Sequence, residues 1–144
     1  MRFTTAPFTV LAMIGYLAAA NTTAQAADRF AVISVANQTE ANLVVNYRWG
    51  SGSWTKATIG PKRNHLFWYE YPNPTNTSSP DMCLNFDADV GASKYQEAKK
   101  LHGFRVPDKN YSGGHHYAFR YDGATKKYIE IFDTSRNTTT AFCS

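Results

Sequence analysis

Long apolar runs are nearly missing from this 144-residue chain. After residue 27 none approaches the roughly 20 residues that a membrane-spanning helix needs. Cysteine is scarce too: Cys83 and Cys143 are the only two. There is no C-x-x-C pair, which argues against a dithiol redox motif. Two thiols so far apart also make poor metal ligands. The four histidines show no H-x-H or H-x₃-H spacing, so no usual zinc set is visible. No G-x-S-x-G elbow occurs. Serine triads depend on geometry rather than spacing, and that class stays open. Basic residues form no block. Lys62-Arg63, Lys99-Lys100 and Lys126-Lys127 are separate pairs, whereas nucleic-acid binding calls for a denser stripe. No internal repeat and no long linker interrupts the chain.

The first residues carry what the rest lacks. Arg2 supplies one positive charge. Pro7 to Ala20 is apolar except for Thr9 and Gly15, and Ala24-Gln25-Ala26 offers small residues at the two positions a signal peptidase reads. This is the layout of a secretory signal peptide over residues 1–26, with cleavage after Ala26 or Ala27. The run of about 14 apolar residues is too short to span a ~30 Å hydrocarbon core. No lipobox cysteine follows. The expected product is a secreted or periplasmic single domain, residues 27–144: 144 less 26 leaves 118 residues. Losing Arg2 lowers the formal charge from +4 to +3. An even cysteine count in an exported chain predicts one disulfide, Cys83–Cys143.

The local signals read as strands. Phe30 to Val35 is apolar and β-branched and ends at the turn cluster Ala36-Asn37-Gln38-Thr39. Leu43 to Trp49 alternates, with Leu43, Val45, Tyr47 and Trp49 on one face, as in a half-buried strand. Gly50-Ser51-Gly52-Ser53 returns the chain at Trp54, a hairpin signal. Further strands are predicted at Trp54 to Ile59, His65 to Tyr71, Met82 to Asp87, His116 to Tyr121 and Tyr128 to Phe132. Pro72 to Pro80 and Pro107 to Gly114 read as loops. Lys94 to Arg105 is ambiguous: Gln96 to Lys100 has helix-forming composition, but Tyr95, Gly103 and Phe104 suit a strand, and a strand is expected. Thr134 to Thr140 is polar and expected to be loose until Cys143 pins it. Together these predict an antiparallel β-sandwich of about seven or eight short strands.

Chemistry-bearing groups are few. In Tyr47-Arg48-Trp49-Gly50-Ser51-Gly52-Ser53-Trp54, the two tryptophans either pair across the hairpin or stack on a ligand, and Arg48 points away from Tyr47 and Trp49. Taken with Ile59-Gly60-Pro61, the aromatic strand at 67–71, Phe86-Asp87-Ala88-Asp89 and Gly114-His115-His116-Tyr117-Ala118-Phe119, this order resembles small exported bacterial β-sandwich domains of uncharacterised function. The resemblance spans most of Phe30 to Asp133. It implies a fold and a bacterial secreted context, and it carries over no catalytic residues.

Asp87 and Asp89, with Asp81 nearby, could hold Ca²⁺ weakly. Calcium needs six to eight oxygens, however, and the twelve-residue loop pattern is missing. No other cofactor is expected. Asp87 and Asp89 could also serve as a carboxylate pair for glycoside hydrolysis. His115 and His116 are adjacent, so in a strand they point to opposite faces. His65 and His102 stand alone. Within residues 27–144, N-x-S/T sequences at Asn37, Asn76, Asn110 and Asn137 fall in turns or the tail.

The resulting expectation is a non-catalytic binding domain outside the cytoplasm, taking an extracellular glycan or protein partner. Its trial ligand residues are Trp49, Trp54, Trp68 and Tyr111, and no nucleic acid is involved. The alternatives are an extracellular hydrolase using Asp87, Asp89 or a histidine, and a membrane-active β protein.

Overall fold

A computed structural model describes residues 27–91 and 94–144. The expected signal peptide, residues 1–26, lies outside them. Ten strands follow in order: β1 (Phe30–Asn37), β2 (Leu43–Trp49), β3 (Thr55–Ile59), β4 (Asn64–Glu70), β5 (Met82–Asp87), β6 (Gln96–Leu101), β7 (Phe104–Val106), β8 (His115–Asp122), β9 (Tyr128–Asp133) and β10 (Thr138–Thr139). They form two sheets. The six-stranded sheet runs β10-β9-β8-β1-β4, with β7 also paired to β1, and the four-stranded sheet runs β3-β2-β5-β6. The all-β sandwich-like architecture and the Cys83–Cys143 disulfide are as expected. No helix among the described residues is long and apolar enough to cross a membrane.

Alternation sets which side chains face inward. In β2, Leu43 and Val45 are buried while Val44 and Asn46 are exposed. The shared core sets Ile33, Val35, Phe67, Phe119 and Ile131 of the larger sheet against Leu43, Val45, Leu84, Phe86 and Leu101 of the smaller. Phe86 and Phe119 meet edge to face across it, ring centroids 4.8 Å apart. Each fully buried side chain of this kind stabilises the fold by roughly 1.5–3 kcal/mol.

The structure departs from expectation in three places. The Lys94 to Arg105 segment is extended, but it makes two strands in different sheets. The chain leaves β6 at His102 and crosses over to join β1 as β7. Thr138–Thr139 is not loose, because it pairs with Phe132 and Asp133 as β10. Not every pairing is antiparallel either: β1 and β8 run parallel, Ile33 beside His115 through Asn37 beside Phe119. β1 can take this central place because Phe30 to Val35 is buried on both faces. A continuous apolar run is what such a position demands. On its outer side a small second cluster forms, with Phe30, Val32 and Val106 buried and Leu66 packed against them.

Candidate functional site

The outer face of the six-stranded sheet carries the best-formed surface feature. Register places Val32 beside Trp68, Phe30 beside Glu70 and Ser34 beside Leu66, so these six side chains share that face. The loop after β7 then folds back over them. The Ser34 hydroxyl donates to the Tyr111 carbonyl at 2.9 Å, and the Asn110 carboxamide oxygen accepts from the Gly113 N–H at 2.7 Å. Gly114 ends the loop against β1, where a Cβ would stand 2.5 Å from Ser34 Oγ and 2.9 Å from Val32 Cγ1. Only glycine allows that approach.

This anchoring positions two side chains of the loop. Lys109 Nζ stands 4.9 Å from the Trp68 ring centroid and 5.1 Å from that of Phe30, a cation–π arrangement. Tyr111 meets the His116 ring edge-on at 5.1 Å. Trp68 is nevertheless 47% exposed. Two residues on and on the same face, Glu70 pairs with Arg29 at 3.1 Å. Both line a cleft of about 560 Å³, together with Asp28, Asn73 and Asp108. An open indole therefore shares its face of β4 with Glu70, which lines a cleft of carboxylates, a guanidinium and an amide.

The trial ligand residues separate into three places. Trp68 and Tyr111 belong to this face. Trp54, equally exposed, belongs to the opposite outer face, where the Arg48 guanidinium lies 4.7 Å from its ring. Trp49 points between the sheets, its ring 5.8 Å from that of Tyr69. The two tryptophans therefore do not pair across the hairpin. Trp49 continues the inward face of β2, while Trp54 precedes β3 and turns outward beneath Arg48. Gly50, with φ of +53°, opens the turn between them.

The carboxylates singled out in sequence are occupied by backbone. Asp87 Oδ1 accepts from the N–H groups of Asp89 and Tyr95 at 3.0 and 2.9 Å. Asp89 is buried. Its Oδ1 accepts from the Gly91 N–H at 2.9 Å, and Lys127 Nζ lies 3.7 Å from its other oxygen. Both act as turn caps where β5 hands over to β6. No group of three or more His, Cys, Asp or Glu among the described residues is arranged to hold a metal.

One polar constellation had no sequence signal. His115 Nε2 lies 2.8 Å from Asp133 Oδ2, with both side chains buried. Phe104 stacks on His115 at 4.3 Å. Burial pushes the neighbouring Tyr117 hydroxyl up to about 12, and that hydroxyl accepts from the His102 N–H at 3.1 Å. Burial alone would raise the Asp133 carboxyl; hydrogen bonds from Ser135, His115 and the Arg136 N–H outweigh it and hold the carboxyl below its ordinary range. The partners lie 18 residues apart, joined only by the β8–β9 register. The buried pair joins β8 to the end of β9, and Asp133 and Tyr117 border a small cavity with His102 and Arg136. His116, on the other face, supports Tyr111 as the adjacency rule requires.

Compared with known proteins, the chain matches no family model, no curated protein and no solved structure.

Proposed function

We propose that this chain is a non-catalytic binding domain acting outside the cytoplasm, and that it holds a glycan on the outer face of its six-stranded sheet. The observation that carries the reading is the exposed Trp68 ring on the same strand face as Glu70, which lines a cleft with Asp28, Arg29, Asn73 and Asp108. An aromatic face covers the apolar C–H side of a sugar ring, while planar polar side chains bond its hydroxyls. The disulfide suits an oxidising compartment. Small exported bacterial domains, which the sequence resembles, are the setting this reading assumes.

The hydrolase reading draws less support, because Asp87 and Asp89 are turn caps and His115 is enclosed. The membrane reading needs one apolar belt, and Trp54 and Trp68 lie on opposite outer faces.

The test is retention of the oxidised chain on a panel of insoluble polysaccharides and cell-wall material. Trp68→Ala is expected to abolish retention with the circular dichroism spectrum unchanged, and Trp54→Ala to leave it intact. Loss with Trp54→Ala alone would transfer the site to the opposite face. No retention on any matrix would remove the glycan from the reading.

A further inference from the structure

β4 is an edge strand of the larger sheet with one side left unpaired among the described residues. Asn37 N donates to Arg63 O at 2.8 Å and Tyr71 N donates to Arg29 O at 2.9 Å, so the odd-numbered positions of this strand face β1. In an antiparallel pair the intervening residues turn their N–H and C=O groups the other way. Asn64, Leu66, Trp68 and Glu70 thus present their backbone groups along a free edge. β4 pairs with β1 alone, and no loop backbone bond among the described residues reaches these four.

Natural sheets blunt such an edge with lysine, proline, a bulge or a covering segment. β4 reads Asn-His-Leu-Phe-Trp-Tyr-Glu, without lysine, proline or glycine, and its register with β1 is unbroken. The neighbouring edge of the other sheet, β3, is shorter and carries Lys56.

We infer that β4 is a self-association edge: two copies of the chain pair β4 with β4, antiparallel, about a two-fold axis at Phe67. The strand itself sets the register. Only pairings that place even residues opposite even residues use the free groups. Full overlap then places Leu66 opposite Trp68 of the second copy, and Asn64 opposite its Glu70. The apolar pair covers part of the exposed indole. The one formal charge of the strand, Glu70, meets an amide rather than another carboxylate. A slip of two residues in one direction sets Leu66 against Glu70. A slip in the other sets Trp68 against Asn64. Either slip loses backbone bonds. An added peptide could use the same groups, but this pattern is complementary to itself, which favours a second copy. A two-fold pairing also closes: each β4 is used once and no further edge is created there. The inference does not depend on the glycan reading.

Sedimentation velocity of the oxidised full-length chain over a concentration series tests it, together with residue-resolved amide exchange. The expected result is a mass that doubles with concentration. The Leu66 and Trp68 amides should slow in step, while the Phe67 amide, bonded to β1, is slow throughout. Asn64→Pro removes an outward N–H at the first residue of the strand, where proline is tolerated. It is expected to weaken the dimer about tenfold, roughly the loss of one or two hydrogen bonds. Leu66→Pro, at the centre of the edge, is expected to hold the chain monomeric. The exchange pattern of the unmodified chain keeps the test valid if that variant folds poorly. A monomer at every concentration would overturn the proposal. So would a dimer in which the Leu66 and Trp68 amides stay fast, or saturable capture of an extended peptide by a chain that never dimerises.

Discussion

The two long sides of the sandwich are finished differently. On one, the C-terminal tail lies along β6: Lys100 N donates to Ala141 O at 2.8 Å and Cys143 N donates to Ala98 O at 2.9 Å. The tail is then fastened covalently, Cys143 to Cys83 of β5. On the other side β4 has no cover, and the sheets are tied there by hydrogen bonds from one side chain. Asn37, buried at the end of β1, donates to Ala41 O, Ile59 O and Gly60 O at 2.8–3.0 Å and accepts from Thr39. It thus binds the start of β2 and the end of β3 to the larger sheet. One side is closed by backbone pairing and a covalent bond. The other is held firm at its corner and left open along its length, which is the combination a pairing edge requires: a rigid strand with free donors and acceptors.

Breaking the closed side should have the largest effect. Replacing both cysteines with alanine frees a loop of 60 residues, and chain entropy predicts a loss of roughly 4 kcal/mol. Guanidinium unfolding of the oxidised and double-alanine chains measures it. The amides of Lys100 and Cys143 should lose exchange protection first, with β4 unchanged. Next comes the corner of the open side. Asn37→Ala strands three carbonyls and the Thr39 donors in a buried site, at a cost of about 3 kcal/mol. If the corner organises the edge, this variant should also weaken self-association.

The contrast explains what the sequence reveals and what it hides. β2 and β5 have the expected bounds, Leu43–Trp49 and Met82–Asp87, because alternation is a property of neighbouring residues. The cysteine pairing was legible because only two exist. By contrast, β10, the crossing from β6 to β7 and the parallel β1–β8 pair are contacts between distant segments with no local periodicity. The site divides the same way. Trp68 was legible as a trial ligand residue of the aromatic strand at 67–71. Lys109 and Asp108 were not, because a loop anchored on Ser34 brings them there, and Asp28 was not, because it precedes β1 and is placed by the bonds of Arg29 to Val106 and Tyr71. Glu70 shares the face of Trp68 two residues along the strand, and that spacing could have marked it.

Asp133 sharpens the comparison through pH, since it ties β9 to β8 on the side away from β4. Its carboxyl titrates below the ordinary value in the fold. The stabilisation is therefore complete above the unfolded pKa of about 3.9, declines as pH falls below it, and is gone once the folded carboxyl protonates. Asp133→Asn should lower stability at neutral pH by about 2 kcal/mol and flatten the acid limb of Tm against pH. An unchanged acid limb would show that the pair is not the group being protonated.

The smallest effect should come from Phe142, the most exposed ring of the closed side. Lys99 Nζ sits 3.5 Å from its centroid, and Glu97 pairs with the same ammonium at 3.2 Å. With the disulfide intact the tail cannot leave β6, so Phe142→Ala removes a cation–π contact rather than the closure itself. The expected cost is about 1 kcal/mol, read as a shift of the denaturation midpoint without a change in slope. If the cysteines are replaced as well, the same substitution should cost more, because nothing then holds the tail in register. Equal costs in the two backgrounds would mean that the covalent bond and the tail pairing act independently, and that β6 remains covered without its staple.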